Sequence, residues 1–181
     1  MTAANLITIL RIILTPVFVI YLLNGQLTAA LVVFAVCTVS DGVDGFVARF
    51  FNQKSRLGAY LDPVADKLLL VTAFVVLAAM GHLPPWLTVT VIARDVMIFL
   101  GVIIIHLNKL DLHIRPSILS KINTCLQFLT IAAVLSKGLF SLGPLVYHFL
   151  YYATALFTVA SGLHYIYFGL KVLSAGEKGP Q

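Results

Sequence analysis

The chain has 181 residues, of which 60% are hydrophobic and 10% charged, against about 25% charged in an ordinary soluble domain. A mean hydropathy of +1.01 excludes a disordered chain and a water-soluble globule, and two cysteines are too few for a disulfide-built scaffold. The net charge of +5 comes from lysines and arginines scattered between apolar runs, which suits membrane orientation and anionic lipid and argues against nucleic acid.

At about 20 residues per span, apolar runs broken by Gly, Pro, Asn and charge place membrane helices near residues 5-23, 27-50, 57-80, 85-107, 117-137 and 144-170. The expectation is an all-α integral membrane protein, a six-transmembrane-helix bundle forming one domain over residues 1-181. In the first span Asn5, Thr8 and Arg11 interrupt the apolar run, which is therefore read as part of the fold and not as a cleavable leader. Arg11 is expected to snorkel to the headgroups. Cys37 and Cys125 lie in apolar runs of the second and fifth spans, where they are expected to pack as small hydrophobes.

The connections Asn24 to Gln26, Gly81 to Pro84 and Lys137 to Gly143 fall on one side, with Lys137 the only basic residue among them. The other side receives Lys54, Arg56, Lys109, Arg115, Lys171 and Lys178. The positive-inside rule then puts both termini in the cytoplasm. Trp86, Tyr147, Tyr151 and Tyr152 fall near the outer ends of their spans, as interfacial aromatics do. His82, His106, His148 and His164 have no second ligand at metal spacing and read as interfacial or packed residues.

Of seven acidic residues, Asp41, Asp44, Asp62, Asp66 and Asp95 fall inside the apolar runs. A charge at mid-membrane costs about 2.5 to 3.5 kcal/mol on insertion scales, so these residues need a reason. On the second helix Asp41, Asp44, Gly45, Ala48 and Arg49 recur at i, i+3, i+4, i+7 and i+8, along one face. On the third, Gly58, Asp62 and Asp66 step by four. The short polar connection Asn52 to Arg56 makes the two helices antiparallel neighbours. Asp41 and Asp66 then lie roughly 13 Å from that loop at about 1.5 Å per residue, so the carboxylates converge at similar depth in the cytoplasmic half.

Four anions at low dielectric repel, and Arg49 and Lys67 do not neutralise them all. All-oxygen ligation without His or Cys suits Mg²⁺ or Mn²⁺, and a carboxylate-held cation with open positions is the usual partner of substrate phosphates. Gly45 and Gly58 remove side chains where something bulky approaches, and Arg49 offers a planar donor fork for phosphate. The alternatives are structural ion pairs, a proton relay, or a cation- or proton-coupled transporter using the aspartates as its path, which would show cation uptake without nucleotide.

The run Asp41-x-x-Asp44-Gly45-x-x-Ala48-Arg49, eight residues, then Gly58-x-x-x-Asp62-x-x-x-Asp66 resembles at every fixed position the motif of the CDP-alcohol phosphatidyltransferase family. The Asn5-Leu6-Ile7-Thr8-x-x-Arg11 entry is also family-like. The resemblance implies six spanning helices, homodimerisation, and transfer of a phosphatidyl group from CDP-diacylglycerol to an alcohol with release of CMP. It implies that Asp41, Asp44, Asp62 and Asp66 hold two divalent cations, Mg²⁺ or Mn²⁺, and that Asp66 takes the proton from the attacking hydroxyl. Gly45, Ala48, Arg49, Ser55 and Gly58 match positions around the CDP moiety and its diphosphate, and Asn5 to Thr8 lie where family members close over the nucleotide. The short termini without an organelle leader suggest a bacterial inner membrane, with the active site facing the cytoplasm.

The second half is expected to choose the acceptor. Adjacent Arg94 and Asp95 point about 100° apart on a helix, which disfavours an intimate mutual salt bridge and leaves Arg94 for the aspartate cluster, a phosphate or a neighbouring helix. Lys121 falls near the cytoplasmic surface, where a phosphate-binding lysine and a snorkelling lysine look alike, and His113 and Arg115 in the preceding loop are placed for an anionic headgroup. Asn123 and Gln127, one turn apart, must find partners inside the bundle. The run Leu119 to Thr124 with Gln127 and the Phe157 to Gly162 stretch resembles the eukaryotic-type cardiolipin synthase branch of the family, which implies phosphatidylglycerol as acceptor. Leu61 to Lys67 and Arg94-Asp95-Val96 also resemble phosphatidylglycerophosphate synthases, for which the acceptor is glycerol 3-phosphate. Arg94, His113, Arg115, Lys121 and Asn123 are the candidate acceptor-binding residues on either reading.

Overall fold

The computed structural model describes the backbone of residues 3–50, 56–107, 117–140 and 142–176, and the side chains of residues 9–40, 67–104, 107, 117–140 and 142–171. Its elements are α1 (Ala3–Leu23), α2 (Leu27–Phe50), α3 (Arg56–Ala79), α4 (Pro85–Leu107), α5 (Ile118–Leu135), a 3₁₀ turn (Ser136–Gly138) and α6 (Pro144–Gly176). The described residues contain no strand. Pro85–Ile104, Ile118–Gly138 and Pro144–Lys171 are long and apolar enough to cross a membrane, and the described parts of the other helices, Ile9–Leu23, Leu27–Ser40 and Lys67–Ala79, are shorter apolar helices. The protein is thus an all-helical, multi-pass membrane protein.

Helix ends follow local chemistry. After α1, Gly25 takes φ 70°, and the bonds Gly25 N–H to Leu22 O (2.8 Å) and Gln26 N–H to Tyr21 O (2.9 Å) close a Schellman cap. The end of α3 repeats the device: Gly81 has φ 74°, with Gly81 N–H to Ala78 O and His82 N–H to Leu77 O. A side chain at either glycine would meet left-handed strain. Pro85 and Pro144 open α4 and α6, where a missing N–H costs nothing. At the start of α5 the Ser117 hydroxyl accepts from Ser120 N–H at 3.2 Å, an N-cap.

The chain divides into two compact units. The first comprises Met1–Pro84 and Ile131–Tyr147. In it α1 packs on α2 and α3 through buried Phe18, Leu22, Phe34, Leu70, Phe74 and Leu77, with the Phe18 and Phe34 rings 5.9 Å apart. Arg11 is 2% exposed, which corrects the expectation that it snorkels. It lies on the same α1 stripe as Phe18 and Leu22, at i, i+7 and i+11, so the face that packs against the neighbouring helices carries it inward. Tyr147 is also buried rather than interfacial: its hydroxyl accepts from Leu142 N–H at 3.2 Å, and Lys137 Nζ stands 4.5 Å from its ring centroid.

The second unit comprises Pro85–Thr130 and His148–Gln181. Trp86 and Tyr152 are exposed and stack at 5.6 Å, as interfacial aromatics, whereas Tyr151 is buried. Cys37 packs in the first unit as expected, but Cys125 is exposed. The covered face of α5 is the one carrying Asn123, Gln127 and Thr130, all buried, and Cys125 lies off it.

Candidate active site

The motif residues before and after the connection 51–55 lie on helical backbone. Asp41, Asp44, Gly45, Ala48 and Arg49 belong to α2, Gly58, Asp62 and Asp66 to α3, and Asn5 and Thr8 to α1. The side chains of all these residues lie outside the described ones, and Ser55, His113 and Arg115 lie outside altogether. Among the described residues no group of three or more His, Cys, Asp or Glu is arranged to hold a metal. His148 and His164 instead sit against the rings of Tyr151 and Tyr165.

Among the described residues, the polar chemistry concentrates in the second unit around Arg94. An isolated cation in an apolar helix is expensive, and this one, 5% exposed, is surrounded by acceptors. Nη1 donates to Asp95 Oδ1 at 2.8 Å. Nη2 donates to Ser120 Oγ of α5 at 2.8 Å and to Ser161 Oγ of α6 at 2.6 Å. The Tyr165 ring lies 5.7 Å from the guanidinium carbon. The Arg94–Asp95 ion pair corrects the expectation drawn from their angular separation. That argument followed the Cα–Cβ directions, whereas the flexible arginine stem swings its head back over the next residue.

Two further rungs join α5 to α6. Thr158 Oγ1 donates to Asn123 Oδ1 at 2.7 Å, and the Thr130 and Thr154 hydroxyls are 2.8 Å apart. Asn123, Gln127, Thr130, Thr154, Thr158 and Ser161 are all fully buried. Among the described residues, Asn123 Nδ2, both amide atoms of Gln127 and Arg94 Nε are buried without a hydrogen-bond partner. Gln127 thus misses the partner expected for it.

Of the candidate acceptor residues, the structure gathers Arg94 and Asn123 into this α4–α5–α6 system and leaves Lys121 exposed on α5. Three donors of the Arg94 guanidinium are engaged by the protein itself. Ser120, Thr158, Ser161 and Tyr165 were not assigned a role from the sequence. The signal that marks them is helical spacing: Ser120, Asn123, Gln127 and Thr130 on α5, and Thr154, Thr158, Ser161 and Tyr165 on α6, recur every three or four residues within apolar helices.

Comparison with known proteins places this geometry in context. The profile of the CDP-alcohol phosphatidyltransferase family matches residues 1–163. A rat protein named cardiolipin synthase (CMP-forming) is 34% identical over 189 residues, covering 95% of this chain and 63% of the relative. The human protein of the same name is 33% identical with the same coverage. A probable phosphatidylglycerophosphate synthase of Mycobacterium tuberculosis is 35% identical over 175 residues, covering 90% of this chain and 79% of the relative. The chain therefore spans about 63% of the length of the rat and human proteins it matches.

Proposed function

Because the chain belongs to the CDP-alcohol phosphatidyltransferase family, we propose that it transfers the phosphatidyl group of CDP-diacylglycerol to phosphatidylglycerol, giving cardiolipin and CMP. The observation that carries this acceptor is the similarity to cardiolipin synthases over 95% of the chain. It includes α5 and α6, which the shared motif on α2 and α3 does not. The same membership argues against the transporter alternative.

The donor set fits divalent cations by its chemistry: Asp41, Asp44, Asp62 and Asp66 offer only hard carboxylate oxygens, from two helices joined by a short connection. When bound, Mg²⁺ or Mn²⁺ supplies positive charge to the diphosphate of CDP-diacylglycerol. Arg49 and Ser55 hold that diphosphate, Gly45, Ala48 and Gly58 leave it room, and Asn5 and Thr8 close over the nucleotide. Asp66 accepts the proton of the acceptor hydroxyl, whose free pKa is too high for it to attack unaided at neutral pH. Lys121, His113 and Arg115 supply positive charge for the acceptor's phosphate, with Arg94 and Asn123 framing the same side. The scheme uses six spans, a cytoplasmic-facing site in the inner membrane, and a homodimer.

A second reading is favoured by the mycobacterial relative, whose own length is more fully covered: glycerol 3-phosphate as acceptor. Incubation of purified protein with CDP-diacylglycerol, Mg²⁺ and each acceptor in turn separates the two. Cardiolipin from phosphatidylglycerol is the expected product. Product from glycerol 3-phosphate alone replaces this reading with the second.

A further inference from the structure

A cation inside an apolar bundle is expensive, and Arg11 of α1, 2% exposed in the first unit, has no part in the chemistry proposed above. Its level follows from the packing. α1 and α2 are joined by only Asn24 to Gln26, so they run antiparallel, and the Phe18 and Phe34 rings meet at 5.9 Å. Seven residues from Phe18 towards the start of α1 is Arg11, and seven from Phe34 towards the end of α2 is Asp41. At about 1.5 Å per residue both positions stand roughly 10 Å beyond the paired rings, in the same direction.

The register of the faces agrees with the levels. Ala30, Phe34 and Cys37 form a buried stripe of α2, and steps of four and seven from Cys37 reach Asp41 and Asp44. On α3, Leu69, Leu70 and Ala73 are buried. Seven before Leu69 is Asp62, while Asp66 is four before Leu70 and seven before Ala73. α1 packs on both helices, and its own buried stripe, Leu22 and Phe18, continues to Arg11. By register, one arginine and four aspartates therefore continue the three stripes that make the core of this unit.

We infer that Arg11 is a built-in countercharge of the aspartate cluster, a positioning residue that pairs with Asp41 and sets how tightly the site holds divalent cations. That the cluster holds cations rests on the function proposed above. A guanidinium beside the carboxylates offsets their mutual repulsion while no metal is bound, and repels a dication when one binds. Two opposed effects follow: Arg11 stabilises the metal-free fold, and it weakens cation binding. A long side chain that served packing alone would produce only the first.

Arg11→Met removes the charge and keeps an apolar stem, and Arg11→Lys keeps the charge. In purified protein with CDP-diacylglycerol, a Mn²⁺ titration read by electron paramagnetic resonance is expected to show roughly tenfold tighter binding in Arg11→Met, equivalent to about 1.4 kcal/mol. Arg11→Lys should bind Mn²⁺ as the unmodified protein does. With EDTA present, Arg11→Met should lower the thermal midpoint, and adding Asp41→Asn should bring it back towards the unmodified value, because no carboxylate is then left without its countercharge; independent packing losses would add instead. Recovery of folded Arg11→Met only together with Asp41→Asn also supports the pairing. Mn²⁺ affinity unchanged or weakened in Arg11→Met, or midpoint losses of the two substitutions that simply add, overturns the inference. If the unmodified protein binds no Mn²⁺, the metal reading itself fails, and the midpoint cycle alone decides whether Arg11 and Asp41 are paired. Mn²⁺ bound through Asp44 and Asp62 but indifferent to Arg11→Met overturns this inference and leaves that reading standing.

Discussion

Ser161→Ala isolates the buried lock around Arg94. The serine hydroxyl, fully buried on α6, accepts from Nη2 at 2.6 Å, and its loss leaves that nitrogen donating to Ser120 Oγ at 2.8 Å. Hydrogen bonds to charged groups contribute about 1.5 to 3 kcal/mol in water-soluble proteins, while neutral pairs between membrane helices average about 0.6 and reach about 1.7. A charged donor within a membrane bundle falls where these ranges meet, so about 1.5 kcal/mol is expected. That is roughly a tenfold change in the unfolding equilibrium. Ser120→Ala, at a part-buried bond to the same nitrogen, should cost about half as much, and the double variant should be non-additive because both hydroxyls serve one donor. Asp95→Asn keeps an acceptor but removes the countercharge, at a cost of about 3 kcal/mol or more. Reversible unfolding in mixed micelles, followed by tyrosine and tryptophan fluorescence, measures all four. Stability of Ser161→Ala equal to the unmodified protein, or Asp95→Asn cheaper than Ser161→Ala, refutes the idea that a paired, desolvated cation ties these helices together.

Other expectations follow from the same packing and chemistry. Gly138→Ala should lower the thermal midpoint in detergent clearly, because its Cβ would meet Thr28 Oγ1 at 2.7 Å and Thr28 N at 2.9 Å, whereas Gly143→Ala meets nothing and should leave the midpoint unchanged. Gln127→Met replaces an amide with neither end partnered by an apolar chain of similar length. It should raise unfolding stability by about 1 kcal/mol or more, and a fall would show that the amide has a partner. Asp66→Asn should cut CMP release by about 10² to 10⁴-fold while CDP-diacylglycerol binding, followed by equilibrium dialysis, persists. Undiminished turnover would remove the proposed base.

Helix positions were legible in the sequence because, in a membrane, apolar runs and their punctuation are the main signal. Expected ends such as 27-50 and 85-107 coincide with α2 and α4. The expected fifth span, 117-137, resolves into α5 and a 3₁₀ turn. The expected sixth span ends at 170, before the charge of Lys171, yet α6 continues to Gly176. A single lysine ends an apolar run but is itself a good helix former. Burial was less legible. Where most of a helix is apolar, hydropathy does not say which side packs, so the sequence alone points Arg11, Tyr147 and Tyr151 to the surface and Cys125 inward, and the structure has each the other way. The Arg94–Asp95 pair escaped because backbone angles say little about the reach of an arginine. Spacing and cost single out the four motif aspartates in the sequence, and their side chains lie outside the described residues.

The claim on which the proposed chemistry depends is that α2 and α3 together hold a divalent cation, and Mn²⁺ binding to purified protein with CDP-diacylglycerol, read by electron paramagnetic resonance, tests it without turnover. The account predicts a bound Mn²⁺ signal that is lost in Asp44→Asn on α2 and equally in Asp62→Asn on α3. A bound signal indifferent to both substitutions, or dependent on residues of one helix alone, contradicts it.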